Sequence, residues 1–422
     1  MQIIRPSDPF PYSVTQSIFL LGPIPRTLET KHLSWKPEAY RLLEELGYDG
    51  VVYDPEHEGS FSERRDESYE RGFQIDWETA ALDRADAIVA WVPRQLPEMP
   101  AMTSNFELGE RFKSGRLLLG FPEGTPRMEY IKYRADDWLK SVYQWQVPVY
   151  HDLREILAAA VEWIGGGAER SGDEIAVPLN IWNDPSFQCW YRGVRLSRHI
   201  LSDFKIEYVF CRGQDKSSGR PKQRIWAARP NLMLPEENRY KGNEIIIGRP
   251  PTVSVLMYYP DGSSVLDWRI VLVDECRPAC VSHHGHVCEL PGGSIEPSSA
   301  IYDDDDIVIR SSAAREILEE TGLLLDPAKL DHFDDRQGLG TLAVCEHYLY
   351  TYQLSRTEFD LIDSKTNCRP RPAKDDAEQT YPVIAPVDDL LYDRISWSNI
   401  DWVNMGMIMS FVASAMRRLG VD

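Results

Sequence analysis

Short apolar runs alternate with segments of helical periodicity over the first 164 residues. The uninterrupted runs at 18–22, 51–53, 87–92 and 117–120 are typical of buried parallel strands. Helical spacing follows at 35–46, 77–84, 106–113 and 152–164. Strands that alternate with helices imply βαβ units, so the pattern predicts a flavodoxin- or Rossmann-like α/β domain with a doubly wound parallel sheet over residues 14–164.

The second half of the chain has a different pattern. It contains longer β-type segments, at 207–210, 225–227, 253–259, 268–273 and 347–352, and two clear helical segments near 311–321 and 403–419. This mixture predicts an α+β domain over residues 176–422. The stretch 165–173 is rich in glycine and lacks periodicity, so we expect residues 165–175 to be a linker.

Composition narrows the classes of partner. Asp+Glu is 66 and Lys+Arg is 46, which gives a formal net charge of −20. This charge argues against nucleic acid and anionic membranes, whereas small phosphorylated molecules stay possible where a metal offsets local charge. The chain shows no long apolar run and no signal-peptide pattern, and its seven cysteines indicate no disulfide framework. We therefore expect a cytoplasmic protein.

The segment 311–322 combines helix caps with a row of carboxylates. Serines stand at its start and Gly322 at its end, and Glu316, Glu319 and Glu320 occupy positions i, i+3 and i+4. These spacings put three carboxylates on one helix face, where they repel each other unless a cation lies among them. A hydrated acidic face on an ordinary amphipathic helix is the alternative.

Together with the Gly292–Gly293 turn, the run that begins Arg315-Glu316 resembles the Nudix box. The resemblance implies a Nudix α/β/α sandwich that hydrolyses a nucleoside diphosphate derivative, with ADP-ribose-like compounds as the first guess. It makes Glu316, Glu319 and Glu320 ligands of Mg²⁺ or Mn²⁺, with Glu320 also catalytic, and makes Gly292 and Gly293 substrate-binding residues.

The chain departs from this pattern before the helix. An insertion lengthens the segment between Gly293 and Arg315, and Ile307 stands where the family has a glutamate that anchors the arginine. Asp305 or Asp306 is a candidate replacement. Downstream, Glu378 is either an additional catalytic carboxylate or part of a solvated loop.

Three motifs in the first domain, at 18–24, 77–94 and 103–109, resemble the nucleoside 2-deoxyribosyltransferase superfamily. The resemblance implies N-glycosidic chemistry, with Glu107 as nucleophile and Glu78 as the acid that contacts sugar or base, at a position usually held by Asp. Phe19 replaces a family tyrosine that helps to orient the nucleophile. The candidate substrate-binding residues are Phe19, Gly22, Arg94 and Asn105. Arg94 binds a phosphate or forms a salt bridge, and Asn105 lines the pocket or caps a helix.

A loop rich in cysteine and histidine offers a possible zinc site. Its candidate ligands are Cys276, Cys280, His283, His284, His286 and Cys288. Their spacing fits no zinc pattern, so loop residues near substrate phosphates or solvent are the preferred interpretation.

These patterns together predict a bifunctional enzyme of nucleotide metabolism. One site cuts or transfers an N-glycosidic bond, and the other hydrolyses a pyrophosphate with Mg²⁺. We expect nucleosides or nucleotides as substrates and a homodimer. The alternative is a Nudix hydrolase regulated by a first domain that binds a nucleotide without turnover.

Overall fold

The structure is a computed structural model, in which two compact units, Met1–Arg249 and Pro250–Asp422, divide the chain. Each unit is described by itself. The described residues are 1–6, 8–25, 33–56, 69–96, 98–215, 219–281, 285–295, 306–338, 340–366, 379–393 and 396–420. Within this described part, no helix is both long and apolar enough to cross a membrane.

A six-stranded parallel sheet forms the centre of the first unit. Its spatial order is β1-β4-β3-β5-β6-β7. The strands are β1 (Gln2–Ile4), β3 (Ser17–Leu21), β4 (Val51–Tyr53), β5 (Ala87–Trp91), β6 (Leu117–Gly120) and β7 (Val149–Tyr150). A short strand, β2 (Ser13–Val14), lies outside this sheet. The central strands are buried along their whole length, which explains why they read as continuous apolar runs.

Helices cover both faces of this sheet. They are α1 (Lys36–Glu45), α2 (Tyr69–Arg84), α3 (Met102–Arg111), α4 (Glu129–Tyr133), α5 (Leu139–Tyr143) and α6 (Leu153–Ile164). The side chains of α2 and α3 pack in one core, and those of α1 and α6 pack in the other. The arrangement fits a Rossmann-like fold, as the hydrophobic pattern predicts.

The stretch expected as a linker forms a strand and a buried ion pair within the first unit. Residues Arg170–Ser171 form β8, which pairs with β2, and Arg170 is only 1% exposed. The guanidinium donates to both carboxylate oxygens of Asp86, at 2.8 and 2.7 Å. Glycine content therefore misleads here, because one buried ion pair fixes a segment whose composition resembles a flexible connection.

The first unit continues beyond this stretch with two helices and four antiparallel strands. They are α7 (Leu179–Trp182), α8 (Pro185–Leu196), β9 (Ile200–Gln214), β10 (Pro221–Leu234), β11 (Arg239–Lys241) and β12 (Ile246–Gly248). The compact unit ends at Arg249, whereas the sequence analysis assigned residues 176–249 to the second domain. The two helices had not been expected, because this segment is dominated by aromatic residues that also favour strands.

A mixed, mostly antiparallel sheet of seven strands forms the second unit, with β13 and β18 as its parallel pair. The strands are β13 (Thr252–Tyr259), β14 (Arg269–Cys276), β15 (His286–Glu289), β16 (Gly292–Ser294), β17 (Asp331–Gln337), β18 (Glu346–Gln353) and β19 (Thr380–Pro386). The helices are α9 (Asp306–Thr321), α10 (Arg356–Asp363), α11 (Val387–Tyr392) and α12 (Trp402–Arg418).

Two hydrophobic cores separate the layers of this second unit. Side chains of α9 and α10 share one core with alternate residues of β13, and α11 and α12 share the other core with the opposite side of the sheet. Helices thus lie on both faces, as the sandwich prediction requires. The Nudix fold itself stays a prediction.

Candidate functional site

A cavity of about 310 Å³ opens in the first unit where β3 and β4 end. In parallel sheets, ligand sites lie outside the carboxyl ends of the strands. Its walls are formed by the segment after β3, one face of α2, and the residues around the N-terminus of α3. The lining residues are Gly22, Pro23, Ile24, Pro55, Gln74, Ile75, Glu78, Met99, Pro100, Ala101, Met102, Thr103, Ser104 and Glu107.

Two carboxylates, Glu78 from α2 and Glu107 from α3, line this cavity together. Burial, together with the charge of Glu78, raises the pKa of Glu107 to about 7, against the opposing charges of Lys36 and Arg111. Two carboxylates in one poorly hydrated site favour a state with one proton between them. The pair can therefore offer one proton donor and one negative charge at neutral pH.

A buried ion pair lies close to this carboxylate pair. The Lys36 ammonium donates to Asp54 Oδ1 at 2.6 Å and to the Leu20 carbonyl at 3.1 Å, and both charged side chains are 1% exposed. Tyr40 donates its hydroxyl to the other Asp54 oxygen. The sequence analysis missed these residues. An aspartate placed directly after a buried parallel strand was the available signal.

Gly22 lies where a side chain has no room. A Cβ atom there would stand 2.1 Å from the Trp91 carbonyl oxygen and 2.9 Å from the Trp35 ring. The structure thus brings Gly22, Glu78 and Glu107 to one cavity. Phe19, by contrast, is fully buried in the core and is not among the lining residues.

Arg94 and Asn105 bind each other instead of lining the cavity. Arg94 is 6% exposed and donates to Asn105 Oδ1 at 2.6 Å and to the carbonyls of Pro126 and Arg127 at 3.1 and 2.9 Å. Asn105 lies inside α3, which begins at Met102, so it is not the cap of that helix. In this structure Arg94 joins a loop to a helix and pairs with no carboxylate among the described residues. Its role in phosphate binding stays a prediction.

Residues 15–125 match the family model described as nucleoside 2-deoxyribosyltransferase like. The matched segment contains every residue that lines the cavity. The first unit of this chain therefore carries a nucleoside 2-deoxyribosyltransferase-like domain, which links it to nucleoside metabolism. The comparison with curated proteins gives no match. The family match does not reach the second unit, so it gives no support to the Nudix resemblance.

The second unit has a carboxylate cluster of its own. Glu320 accepts a hydrogen bond from the Gly292 backbone at 2.9 Å, and a Cβ atom on Gly293 would lie 2.6 Å from the Glu316 carboxyl group. Burial, together with the charges of Glu316 and Glu275, raises the pKa of Glu320 to about 8, although the hydrogen bond from Gly292 opposes the rise. The structure brings Gly292, Gly293, Glu316 and Glu320 together.

Glu319 is separate from this cluster. Its side chain is 56% exposed and lies 3.3 Å from Arg315, one turn before it on the surface of α9. Of the three carboxylates expected in a row, Glu316 and Glu320 are therefore largely buried near the Gly292–Gly293 strand, whereas Glu319 is exposed. Glu275, which the sequence analysis did not select, is the buried acid that interacts with Glu320.

Two arginines bind the acidic residues around Glu320. Arg277 lies 2.8 Å from Glu275 and 2.9 Å from Glu289, and Arg315 lies 2.7 Å from Glu316. The proposed replacement anchor for Arg315 is wrong for Asp306. That carboxylate binds Arg310 at 2.5 Å and accepts from Tyr350 at 2.6 Å. Asp305 and Glu378 lie outside the described residues.

The chemistry of these carboxylate oxygens suits a hard divalent cation. Nevertheless, among the residues that the structure describes, no three acidic, histidine or cysteine side chains are grouped as ligands of a metal ion. The same finding applies to Cys276, Cys280, His286 and Cys288; His283 and His284 lie outside the described residues. His286 instead contacts Asp274 at 3.1 Å.

Proposed function

We propose that the first unit cleaves or transfers the N-glycosidic bond of a nucleoside or nucleotide. The observation that carries this proposal is the presence of Glu78 and Glu107 in one cavity within the matched domain. Breaking such a bond develops positive charge at the sugar C1′ and negative charge on the departing base. A carboxylate stabilises the first charge, and a protonated acid neutralises the second. The pair supplies both groups.

The test is product analysis with the whole protein. Purine and pyrimidine nucleosides and nucleotides are incubated with and without a second base as acceptor, and free or exchanged base is identified by mass. Glu107→Gln and Glu78→Gln are each expected to reduce base release at least about a hundredfold, the lower end of the range for one acid–base group. Glu110→Gln, on the exposed face of the same helix, is the matched control and should retain activity. Full activity in both cavity variants would refute the proposal.

A second candidate function belongs to the second unit. We infer that it hydrolyses the pyrophosphate of a nucleoside diphosphate derivative, in the manner of a Nudix hydrolase. The specific observation in favour is the cluster of Glu316, Glu320 and Gly292. Arg277 lies next to this cluster, because it forms an ion pair with Glu275, whose charge acts on Glu320. Bound Mg²⁺ or Mn²⁺ would be held by Glu316 and Glu320 and would neutralise phosphate charge. Arg277 and Arg315 are the nearby cations that can orient phosphates.

Incubation of the whole protein with ADP-ribose and related diphosphates, in the presence of Mg²⁺ or of Mn²⁺, tests this second activity. Release of a nucleoside monophosphate that vanishes in Glu320→Gln supports it. Asp360→Asn, an exposed acid on α10, is the control. If no diphosphate is cut with either metal, the second unit is not a hydrolase of this class. The first unit's activity would then be judged by itself.

The alternative interpretation makes the first unit a sensor that binds a nucleotide without turnover and regulates the second unit. The replacement of the family tyrosine by Phe19 favours it. Nucleoside binding to Glu107→Gln at the wild-type affinity, combined with absence of any base release by the wild type, would support the sensor.

A further inference from the structure

Trp402 is an exposed aromatic residue that borders two cavities of the second unit. It is the first residue of α12, and its side chain is 90% exposed. Tryptophan is on average a well-buried residue, so an indole in this position needs a reason. One of the two cavities has a volume of about 390 Å³ and the other about 1150 Å³, and Trp402 lines both. The indole can therefore contact a ligand that extends from one cavity into the other.

The smaller cavity lies between β17, β18 and α12, and its chemistry suits a planar ring. Besides Trp402, its wall contains the apolar side chains of Phe333, Leu349, Val403 and Met407. Gly406 leaves room beside them, because among the described residues no heavy atom lies within 4 Å of a Cβ atom built there. The volume lies within the range of roughly 300–1,000 Å³ that small-molecule sites occupy. A purine or pyrimidine ring suits such a site because it can stack on aromatic side chains.

The larger cavity is polar and borders the carboxylate cluster of this unit. The side chains that offer hydrogen bonds to hydroxyl groups in it include Ser398, Asn399 and Asp401. Arg277 lines the same cavity and lies 2.8 Å from Glu275, whose charge acts on Glu320. Arginine is well suited to bind phosphate oxygens. A sugar and a diphosphate in this cavity would therefore lead from Trp402 to the cluster.

We propose that the smaller cavity binds the base of a nucleoside diphosphate derivative, which stacks on Trp402, while the sugar and the diphosphate extend through the larger cavity toward Arg277. This inference rests on the hydrolase activity proposed for the second unit, and it names the part of the site that selects the substrate. Trp402 is then a specificity-determining residue. It contacts the base, away from the phosphate bond that is cut, so it takes no part in bond cleavage.

Two ligands that differ in the base test this site directly. AMP and ribose 5-phosphate share the sugar and the phosphate, and only AMP carries a base. The reporter is the methyl group of Met407, which lines the smaller cavity and is observed by NMR in whole protein labelled at its methionine methyl groups. The variant Met407→Leu identifies the resonance. We expect AMP to shift this resonance through the ring current of the base, and ribose 5-phosphate to leave it in place.

Variants of Trp402 measure the contribution of stacking. Trp402→Ala should raise the dissociation constant for AMP, measured at the Met407 methyl group, by about 5- to 100-fold, the range for one base on one aromatic side chain. Trp402→Phe keeps an aromatic ring and should retain most of the affinity. Tyr392→Ala is the matched control, because Tyr392 is also an exposed aromatic residue and lines neither cavity.

A further variant closes the smaller cavity without removing any contact. Gly406→Leu places a side chain in the open space and should abolish the effect of AMP on the Met407 resonance. The fold should be retained, because leucine is more favourable than glycine inside a helix, and thermal unfolding checks this. Ala413→Leu adds the same bulk two turns further along α12, on an exposed residue outside the cavity, and should bind AMP like the wild type.

The outcomes separate this inference from the hydrolase on which it rests. Equal responses of Met407 to the two ligands, no response to either, or an unchanged AMP dissociation constant in Trp402→Ala would overturn the base site. An AMP response in a protein that cuts no diphosphate would refute the hydrolase and support the base site. If ADP-ribose is cut, Trp402→Ala should raise its KM more than it lowers kcat. Hydrolysis with an unchanged KM in this variant would support the hydrolase and overturn the base site.

Discussion

Replacing Glu107 by Gln should stabilise the first unit at alkaline pH while it removes activity. A carboxyl group whose folded pKa is raised is harder to ionise in the folded protein than in the unfolded chain. The pKa of Glu107 rises from the ordinary glutamate value of 4.5 to about 7. At about 1.36 kcal/mol per pH unit, this is a cost of roughly 3 kcal/mol when the group is fully ionised. Water in the open cavity lowers that figure, so we expect about 1–3 kcal/mol.

The sign follows from proton binding. Below pH 4.5 the carboxyl is protonated in both states and contributes no difference. Between this value and about 7 the folded state binds more protons, so the stability of the wild type falls as pH rises through that window. Glutamine stays neutral throughout. The variant and the wild type should therefore unfold alike well below pH 4.5, diverge as the pH rises from there to about 7, and differ by a constant amount at higher pH.

Thermal unfolding at two pH values measures this difference. For a unit of this size, 1 kcal/mol moves the midpoint by about 2–4 °C. The first-unit transition of Glu107→Gln should rise by roughly 2–12 °C at pH 8.5 and stay nearly unchanged at pH 4. Glu110→Gln on the same helix is exposed and should show no such pH dependence. A Glu107→Gln protein that is less stable than the wild type at pH 8.5 would refute the reasoning.

Three further predictions concern packing, a buried ion pair and metal binding. Gly22→Ala should lower the free energy of unfolding by about 1–3 kcal/mol, measured by denaturant titration, because its Cβ would meet the backbone of Trp91. Gly109 is a helical glycine with open space around it, so Gly109→Ala should raise the free energy of unfolding by about 0.5–1 kcal/mol in the same titration. Asp86→Asn should destabilise the protein by about 3–5 kcal/mol because Arg170 is left buried without its partner charge; a loss under 1 kcal/mol would show that the ion pair does not anchor residues 165–175. Mg²⁺ should raise the thermal midpoint of the wild type in proportion to its binding and should not do so in Glu320→Gln; equal shifts in both proteins would exclude this cluster as the site.

The hydrophobic pattern was sufficient for the parallel sheet, and the resemblance of short motifs selected the two glutamates of the first cavity. Buried strands lack polar positions, so their runs are visible in the sequence, and Glu107 stands in a recognisable motif within the matched segment. Gln74, which also lines this cavity, could not be selected this way. It contacts Glu78, one helical turn along α2, and the carbonyl of Pro55, which only the folded chain brings together.

Two contacts that the sequence did not indicate have a common physical cause. An arginine near a strand end was expected to meet a phosphate or a surface carboxylate, and Arg94 donates to two carbonyls and an amide oxygen. Arg170 lies in a glycine-rich stretch that suggested a linker, and it forms a buried ion pair with Asp86. The sequence shows that a residue is an arginine, but the groups that its long side chain reaches depend on how the chain folds.

The stability cost at Glu107 also separates an enzyme from a sensor. A pocket that only binds a nucleoside gains nothing from a carboxyl group that is expensive to ionise, since an amide of the same shape could line it without that cost. General acid catalysis, by contrast, needs a group whose pKa lies near the working pH. We therefore expect Glu107→Gln to bind a nucleoside with an affinity close to that of the wild type, measured by calorimetry, while base release disappears. Equal loss of binding and turnover would mean that Glu107 serves substrate recognition, and its role in acid–base catalysis would be refuted.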